Sequence, residues 1–359
     1  MMLRTLEVKN FRCFTDFHIG LLDRINLITG RNNVGKTSLL EALFLYSGHY
    51  NAQLPHRLNS FRGLHRFALR AEDVWGWLFH VADMDRTITF RAKDEAGIVH
   101  VVTLTLTPAA TLTETPKGEE DKLSEPKQGV FSSIIDSREL TITVKNGKGK
   151  KWTVRATITE DGIKATTPSR PPPTKHTAIF LSTRSRNAED DANRYSDVER
   201  QLRQEDIIAQ LKIVEPRIRR LSLLTSGGSP VLNADVGIGH LMPLPFVGEG
   251  TTRLLSIALA IADTPGGTVM IDDIDSGFHY TVLTDVWKAI ALGARRNNVQ
   301  IFATTHSREC VQAAHEAFAD SEPYDFRLYR LERSNEHIVA KTYDQETLST
   351  ALESDLEVR

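Results

Sequence analysis

The chain has 359 residues, of which 40% are hydrophobic and 25% charged, a composition typical of a protein with a large buried core. A formal net charge of −2 excludes a basic field over the whole surface, although a neutral protein can still carry a local basic groove for DNA. Two cysteines, Cys13 and Cys310, are too few for a disulfide framework, and their apolar surroundings favour buried thiols. The alternating N-terminus favours a strand over a signal peptide, and the apolar run LLSIALAIA is too short to span a bilayer. We therefore expect a cytoplasmic protein with no membrane partner.

Residues 1–84 predict an N-terminal lobe that alternates strands, a glycine loop and a helix. The apolar patterns LRTLEVKNF and RINLITG are typical of strands, and KTSLLEALFLYSG is typical of a helix that ends at Gly48. Residues 85–182 are rich in alternating Val, Thr and Ile, from RTITFRAK to TAIFLST, and predict an inserted antiparallel β region. Within it, residues 108–129 have no periodicity and predict a mobile loop, and PSRPPPTK predicts an extended polyproline connector.

Residues 183–239 predict a short helical and connecting region. Ser196 and Glu199 fit a capping box at the start of a helix, and Pro216 ends the apolar periodicity. Its charges nearly balance, so a solvated helix face and a face toward DNA or a partner both stay open. From residue 240 to 359 strands and helices alternate again, which predicts a second lobe built on a doubly wound parallel sheet.

The stretch GRNNVGKT, residues 30–37, lies between an apolar strand and a helix. Gly30 and Gly35 allow backbone conformations that turn amide hydrogens toward phosphate oxygens, and a helix N-terminus favours an anion. In such a loop Lys36 reaches the β and γ phosphates, and the Thr37 hydroxyl can bind Mg²⁺. The alternative is a glycine-rich turn without a ligand. We interpret the stretch as a nucleotide-phosphate loop.

Two further buried strands end in polar residues. TVMIDDID ends in Asp272, suited to hold magnesium, and Asp273, placed to orient or deprotonate an attacking water. Carboxylates at strand ends also serve as helix N-caps, but the phosphate loop favours the catalytic interpretation. VQIFATTHS ends in His306, which can hydrogen-bond the γ phosphate or the attacking water, although a lone histidine is often structural or solvated.

A second glycine loop precedes the helix of RLLSIALAIA. Gly248 and Gly250 flank Glu249, with Thr251 or Thr252 as the expected helix cap. Free amides and the positive end of the helix dipole would attract an anion here, although the segment also fits a simple turn.

These motifs, in this order, resemble the ABC-type ATPase heads of the SMC/RecF/OLD group. Residues 1–50 resemble its N-terminal half, and residues 240–345 look like the OLD-like "AAA family" branch of prokaryotic defence and toxin–antitoxin systems. The resemblance implies an α/β P-loop NTPase head of ABC type, with an inserted antiparallel β region and a short helical region. It also implies that two heads associate head to tail around two molecules of ATP with Mg²⁺, as a homodimer or higher oligomer.

Carried over residue by residue, the resemblance implies a role for each motif. Asp272 would be the Walker B carboxylate and a magnesium ligand with Thr37, Asp273 the catalytic position, and His306 the switch histidine. Gly248, Glu249 and Gly250 would form the signature loop that contacts the nucleotide of the other head. The residues implied to lie at the nucleotide's own head are Arg12, Gly30, Asn32, Asn33, Gly35, Lys36, Thr37 and Ser38.

The chain departs from the family pattern at two positions. Asp273 stands where glutamate is usual, and the shorter side chain can slow turnover, since a misplacement of about 1 Å can cost about 100-fold in rate. Asp275 lies close in sequence and could compensate. Val247 stands where the signature loop usually carries serine, so phosphate contact there would depend on backbone amides.

Three functions remain in competition. The first is an ATPase that regulates a separately encoded effector, such as a nuclease or toxin, because the residues after His306 are too few for the Toprim nuclease domain of OLD proteins. The second is a scaffold that binds ATP and barely hydrolyses it. The third is a RecF-like DNA-repair clamp, whose basic surface would be formed by Arg184, Arg186, Arg217, Arg219 and Arg220.

Overall fold

The computed structural model contains two kinds of strand: some are buried along their whole length, and in others buried and exposed residues alternate. It describes residues 2–64, 70–108, 138–147, 149–159, 162–166, 177–183, 187–335 and 337–359. The predicted loop 108–129, apart from Pro108, and the predicted polyproline connector lie outside the described residues.

The elements are numbered in chain order within the described residues. The strands are β1 Leu3–Phe11, β2 Phe14–Ile19, β3 Ile25–Gly30, β4 Ile88–Asp94, β5 Val99–Pro108, β6 Arg138–Lys145, β7 Lys151–Thr159, β8 Gly162–Thr166, β9 Ala178–Leu181, β10 Arg220–Ser226, β11 Ser229–Asp235, β12 Met242–Pro243, β13 Thr268–Ile271, β14 Gln300–Thr304, β15 Phe326–Ser334 and β16 His337–Tyr343. The helices are α1 Lys36–Ser47, α2 Leu54–Phe61, α3 Ala71–Trp75, α4 Ala188–Arg200, α5 Gln204–Leu211, α6 Leu244–Val247, α7 Glu249–Ala262, α8 Leu283–Arg296, α9 Arg308–Phe318 and α10 Gln345–Glu353. None of the described helices is long and apolar enough to cross a membrane.

The six-stranded sheet at the centre of the molecule has the order β16-β15-β3-β14-β13-β9. Its strands pair in parallel except for the β15–β16 hairpin. Every residue of β3, β13 and β14 is buried, as expected for strands covered on both faces. Neighbouring residues such as Val269 and Met270 belong to two separate hydrophobic clusters, so a core lies on each side of the sheet. The predicted doubly wound parallel sheet is confirmed.

The seven-stranded antiparallel sheet has the order β2-β1-β4-β5-β6-β7-β8. Burial alternates along β1 and β4, which matches the alternating sequence that predicted strands there. Val8 of β1 lies opposite Phe17 of β2 and Phe90 of β4, so one face packs into a core. The first two strands of the chain therefore belong to the same sheet as the predicted β insertion.

The assignment of TAIFLST to that antiparallel insertion is wrong. Its strand β9 pairs in parallel with β13, with Phe180 opposite Met270, and forms an edge of the central sheet. Phe180 packs in a core, stacked on Phe61 with 5.0 Å between ring centroids. Packing of this short apolar strand onto the buried β13 decides its place, which its own composition does not reveal.

The predicted helix start at Ser196 is also wrong. Asn187 caps α4, because its side chain accepts a hydrogen bond from the backbone N–H of Glu189, and Ser196 lies inside the helix. The Ser196 hydroxyl donates to the carbonyl oxygen of Ala192 instead. Strands β10 and β11, joined by Gly227 and Gly228 with φ of 59° and 83°, add a hairpin to a region expected to be helical and connecting.

Candidate functional site

The phosphate loop starts at the buried end of β3. Gly30, Asn33 and Gly35 have φ values of 134°, 58° and 100°, which turn the chain sharply before α1. A Cβ atom on Gly30 would lie 2.5 Å from the carbonyl oxygen of Leu331, and one on Gly35 would lie 2.7 Å from the Cys13 sulfur. Both positions therefore require glycine, because a side chain would meet backbone or a packed thiol.

Lys36, the first residue of α1, closes this loop with its side chain. The amino group donates to the carbonyl oxygen of Gly30 at 2.6 Å and to that of Arg31 at 3.0 Å. Burial lowers the pKa of Lys36 to about 8, against the opposing effect of the nearby Asp273 and Asp272 carboxylates. An anionic ligand would stabilise the cationic form of this amine.

Asp272 follows the last residue of β13 and is buried. The Thr37 hydroxyl donates to its two carboxylate oxygens at 3.1 and 3.2 Å, and the Thr304 hydroxyl donates to Oδ1 at 2.8 Å. The carboxylate thus lies directly beside the first turn of α1. This contact joins the phosphate loop to the acidic strand end.

Asp273 and His306 lie at the open side of the same cleft. The Nε2 atom of His306 is 3.6 Å from Oδ1 of Asp273, and both side chains are partly exposed. Burial, followed by the negative charge of Asp272, raises the pKa of the Asp273 carboxyl above its usual range, and His306 opposes that rise. The pair is placed to exchange a proton or to hold a water molecule between its two side chains.

The cleft has a volume of about 530 Å³, and the phosphate loop and both predicted polar strand ends contribute to it. Its lining residues are Cys13, Asn32, Asn33, Gly35, Lys36, Thr37, Ser38, Phe61, Arg62, Ser182, Thr183, Asp272, Asp273 and His306. Asp275 does not line the cleft, because its carboxylate accepts a hydrogen bond from the Thr305 hydroxyl below it.

Arg12 has a different environment from the one predicted. Its guanidinium binds Glu41 of α1 through Nε at 3.1 Å and donates to the carbonyl oxygen of Trp77, and it does not line the cleft. Arg62 binds both oxygens of the same Glu41, at 2.6 and 2.8 Å, and does line the cleft. Glu41, which is fully buried, therefore holds two arginines from different segments.

The sequence interpretation missed Arg62, Ser182 and Thr183. Ser182 and Thr183 directly follow β9, so the rule that found Asp272 and His306 would have found them once β9 was placed in the parallel sheet. We find no motif in the sequence around Arg62 that marks it as a cleft residue.

The second glycine loop lies away from the cleft. Gly248 caps α7 with φ 160° and ψ 152°, and none of Gly248, Glu249 and Gly250 lines the cleft of its own chain. The expectation that Thr251 or Thr252 caps the helix is wrong, because α7 already begins at Glu249. The backbone N–H of Thr252 donates to the carbonyl oxygen of Gly248, as a residue in the first turn does.

The basic residues considered for DNA binding are only partly described. Arg217 pairs with Glu215 at 2.8 Å, which offsets its charge, and Arg184 and Arg186 lie outside the described residues. The two cysteines are free thiols. The prediction of a buried thiol is confirmed for Cys310 and is wrong for Cys13, which is partly exposed beside the phosphate loop.

Comparison with known proteins places this geometry in a family. The family model described as "AAA domain, putative AbiEii toxin, Type IV TA system" matches residues 25–311, a range that holds the phosphate loop, the acidic pair and His306. The chain belongs to this AAA-domain family.

Individual relatives agree with this membership. An ATP/GTP phosphatase of Helicobacter pylori is 23% identical over 390 residues, covering 99% of this chain and 99% of that protein. A DNA replication and repair protein RecF of Thermomicrobium roseum is 49% identical over 45 residues, which are 12% of this chain and 11% of that protein. The crystal structure of an SMC head bound to the C-winged helix domain of ScpA has a TM-score of 0.50 at 12% identity, covering 98% of this chain and all of that one. The predicted ABC-type P-loop head fold is confirmed, and the narrower OLD-like assignment stays a prediction.

Proposed function

We propose that this AAA-domain protein binds Mg-ATP, hydrolyses it slowly in the cytoplasm, and uses the nucleotide to regulate a separately encoded effector. The observation that carries the proposal is the convergence of Lys36, Thr37, Asp272, Asp273 and His306 on one cleft of about 530 Å³. The name of the Helicobacter pylori relative, an ATP/GTP phosphatase, supports nucleotide hydrolysis. The toxin–antitoxin wording of the family description supports an effector and a role in defence.

The phosphate loop would bind the triphosphate. Asn32, Asn33, Gly35, Lys36, Thr37 and Ser38 line the cleft at the start of α1, where backbone amides would bind phosphate. The Lys36 amine would exchange its bonds with loop carbonyl oxygens for phosphate oxygens. The side chains of Thr37 and Asp272 would hold Mg²⁺, since both present oxygen to the cleft and already lie 3.1 Å apart. Among the described residues no group of three or more His, Cys, Asp or Glu forms a separate metal site, so phosphate and water would complete the coordination. The ion would neutralise charge on the phosphates when bound.

Asp273 and His306 would act on the water and the γ phosphate. With 3.6 Å between their side chains, the carboxylate can accept a proton from water while the imidazole donates to a phosphate oxygen. A raised pKa favours this use of Asp273, because a stronger base accepts the proton more readily.

Two heads would complete the site as a homodimer or higher oligomer. The loop of Gly248, Glu249 and Gly250 does not line the cleft of its own chain, so its amides would be available to a nucleotide bound by another molecule. Nucleotide held between two such surfaces stabilises the pair by mass action. The similar SMC head, solved with a domain of ScpA, gives a precedent for a head that engages a second protein.

A scaffold that binds ATP with little turnover is the second candidate. It is favoured by the short side chain of Asp273 and by the position of Asp275, whose carboxylate is held by Thr305 outside the cleft and cannot substitute for it. The substitution Asp273→Glu separates the two functions. A large gain in rate would indicate a scaffold that has lost its base, and little change or a loss would indicate a competent site.

The first experiment is phosphate release from Mg-ATP as a function of protein concentration, with Lys36→Ala as the blank. Specific activity that rises with concentration would support hydrolysis by paired heads. Tight ATP binding with no release above the blank would instead support the scaffold.

A further inference from the structure

The peptide unit that joins Asp272 to Asp273 is held at both ends. Its carbonyl oxygen, on Asp272, accepts a hydrogen bond from Arg253 at 2.6 Å. Its N–H, on Asp273, donates to the hydroxyl oxygen of Thr304 at 2.9 Å. The Arg253 guanidinium, on α7, and the Thr304 hydroxyl, on β14, therefore hydrogen-bond to the two ends of one peptide unit.

This peptide needs such support, because Asp273 has φ of 45°. A residue with a side chain adopts the left-handed region at a cost, and the conformation persists only where surrounding contacts determine it. Two neighbouring backbone hydrogen bonds add to this support. The N–H of Asp272 donates to the carbonyl oxygen of Leu181 at 3.0 Å, and the N–H of Ile274 donates to the carbonyl oxygen of Thr304 at 2.9 Å. The direction of the Asp273 side chain follows from this backbone conformation.

Thr304 also controls the neighbouring carboxylate. Its hydroxyl accepts from the N–H of Asp273 and donates to Oδ1 of Asp272 at 2.8 Å. One hydroxyl thus orients the backbone of one aspartate and the side chain of the other.

Arg253 can form its contact because α7 carries it beneath the acidic strand end. The residue is 1% exposed, and the same terminal nitrogen that binds Asp272 lies 3.4 Å from the carbonyl oxygen of Asp273. Hydrogen bonds from a charged donor are stronger than neutral ones. Arg253 also lines a second cavity, of about 240 Å³, together with Arg57, Arg194 and Ser256. This volume is large enough for a guanidinium ion.

We propose that Arg253 and Thr304 are positioning residues that aim the Asp273 carboxylate at the water for ATP hydrolysis. The inference rests on the proposed function and deepens it. Neither side chain lines the cleft. Arg253 acts through the peptide between the two aspartates, and Thr304 acts through that peptide and through the Asp272 carboxylate.

The test compares the steady-state kinetics of Arg253→Ala, Arg253→Lys and Thr304→Val with the wild-type chain. We expect kcat for Arg253→Ala and Thr304→Val to fall about 100-fold, the loss expected when a reacting group is misplaced by about 1 Å, with KM changed by less than about threefold. Millimolar guanidinium should restore at least a tenth of wild-type kcat to Arg253→Ala through the second cavity and leave Thr304→Val unchanged. Arg253→Lys, which keeps a cation, should retain more activity than Arg253→Ala.

Two controls separate positioning from a structural role. Arg194→Ala removes an arginine from the same cavity that does not touch the peptide, and should keep wild-type kcat with or without guanidinium. In an Asp273→Asn background, Arg253→Ala should cause little further loss, because residues that act through one group are not additive.

Outcomes that overturn the inference are equally specific. They are a wild-type kcat in Arg253→Lys and Thr304→Val, an equal rise of KM and fall of kcat that guanidinium does not reverse, or additive losses with Asp273→Asn. Failure of the proposed function is seen separately, as wild-type phosphate release no greater than that of Lys36→Ala.

Discussion

The two large sheets of the molecule use the same kind of apolar residues and contribute very differently to the cleft. In the parallel sheet, β3, β9, β13 and β14 each end at the cleft and deliver the phosphate loop, Ser182, Asp272 and His306. Among the described residues of the antiparallel sheet and its turns, only Cys13, in the turn between β1 and β2, reaches it. The carboxyl ends of parallel strands meet at one edge, whereas antiparallel neighbours end at opposite edges, so chemistry accumulates on the parallel sheet.

The largest expected effect comes from replacing one lysine at the cleft, with a lysine on the antiparallel sheet as its control. Lys36→Ala should lower kcat/KM for ATP by at least about 100-fold, because it removes a buried cation aimed at phosphate. Lys9→Ala is the matched control, since Lys9 of β1 pairs with Asp16 at 2.8 Å on an exposed surface. Equal activities of the two variants would contradict the assignment of the site to the parallel sheet.

The substitution Glu41→Gln tests the contact between α1 and the β1–β2 turn of the antiparallel sheet. Glu41 is fully buried and binds Arg12, from the β1–β2 turn, as well as Arg62. Loss of its charge should lower the free energy of unfolding by about 3 kcal/mol, since it leaves the nearly buried Arg12 guanidinium, and the partly exposed one of Arg62, without their carboxylate partner. Urea denaturation measures this, with Asp16→Asn, in an exposed pair, expected to show no measurable change. A stable Glu41→Gln protein would mean that the turn is held by packing alone.

Dependence on pH tests the parallel side alone. Lys36 in the free protein has a pKa of about 8, lowered by burial, and only its cationic form attracts phosphate. As pH rises through 8 the cation is lost, so kcat/KM should fall, approaching tenfold per pH unit. Bound phosphate raises the pKa of Lys36, so kcat should stay level to higher pH. In Lys36→Arg, which stays charged, the alkaline fall should disappear; its persistence would assign it to another group.

The smallest expected effect concerns Cys13, which the antiparallel sheet contributes to the cleft. N-ethylmaleimide should modify the partly exposed Cys13 before the buried Cys310, although burial raises the pKa of both thiols. Mg-ATP should slow Cys13 labelling several-fold, as read by peptide mass spectrometry, and should give no protection in Lys36→Ala. Unprotected labelling in the wild-type chain would place bound nucleotide away from this turn.

The predictable part of the site consists of residues adjacent in sequence to buried strands. Gly30 to Thr37, Asp272 and His306 each follow an apolar run, and parallel topology then brings them together. Arg62 and its contact with Glu41 depend on how the segment after α1 folds back, which leaves no periodic pattern. The sequence does not single out Asn187 as the helix cap, because Ser196 and Glu199 match the capping-box pattern more closely even though both lie inside the helix.

The fold shows the same division. The fully buried strands β3, β13 and β14 were assigned correctly, because short and mostly apolar runs of this length suit strands covered on both faces. The short strand β9 was not, because AIFL suits an antiparallel edge as well as a parallel one, and the pairing with β13 decides between them. In the hairpin of β10 and β11, the adjacent glycines Gly227 and Gly228 indicate a turn between two strands, whereas the helical pattern before them did not extend into this segment.

The place of β3 in its sheet has a consequence for synthesis of the chain. Its two neighbours, β14 and β15, both lie near the other end of the sequence. During synthesis the phosphate loop is therefore made long before either partner strand, Gln300–Thr304 or Phe326–Ser334. Pairing over such distances along the chain is slow, and the nascent strand is an exposed apolar edge meanwhile. The proposed nucleotide site is thus completed only after both of these strands have been made.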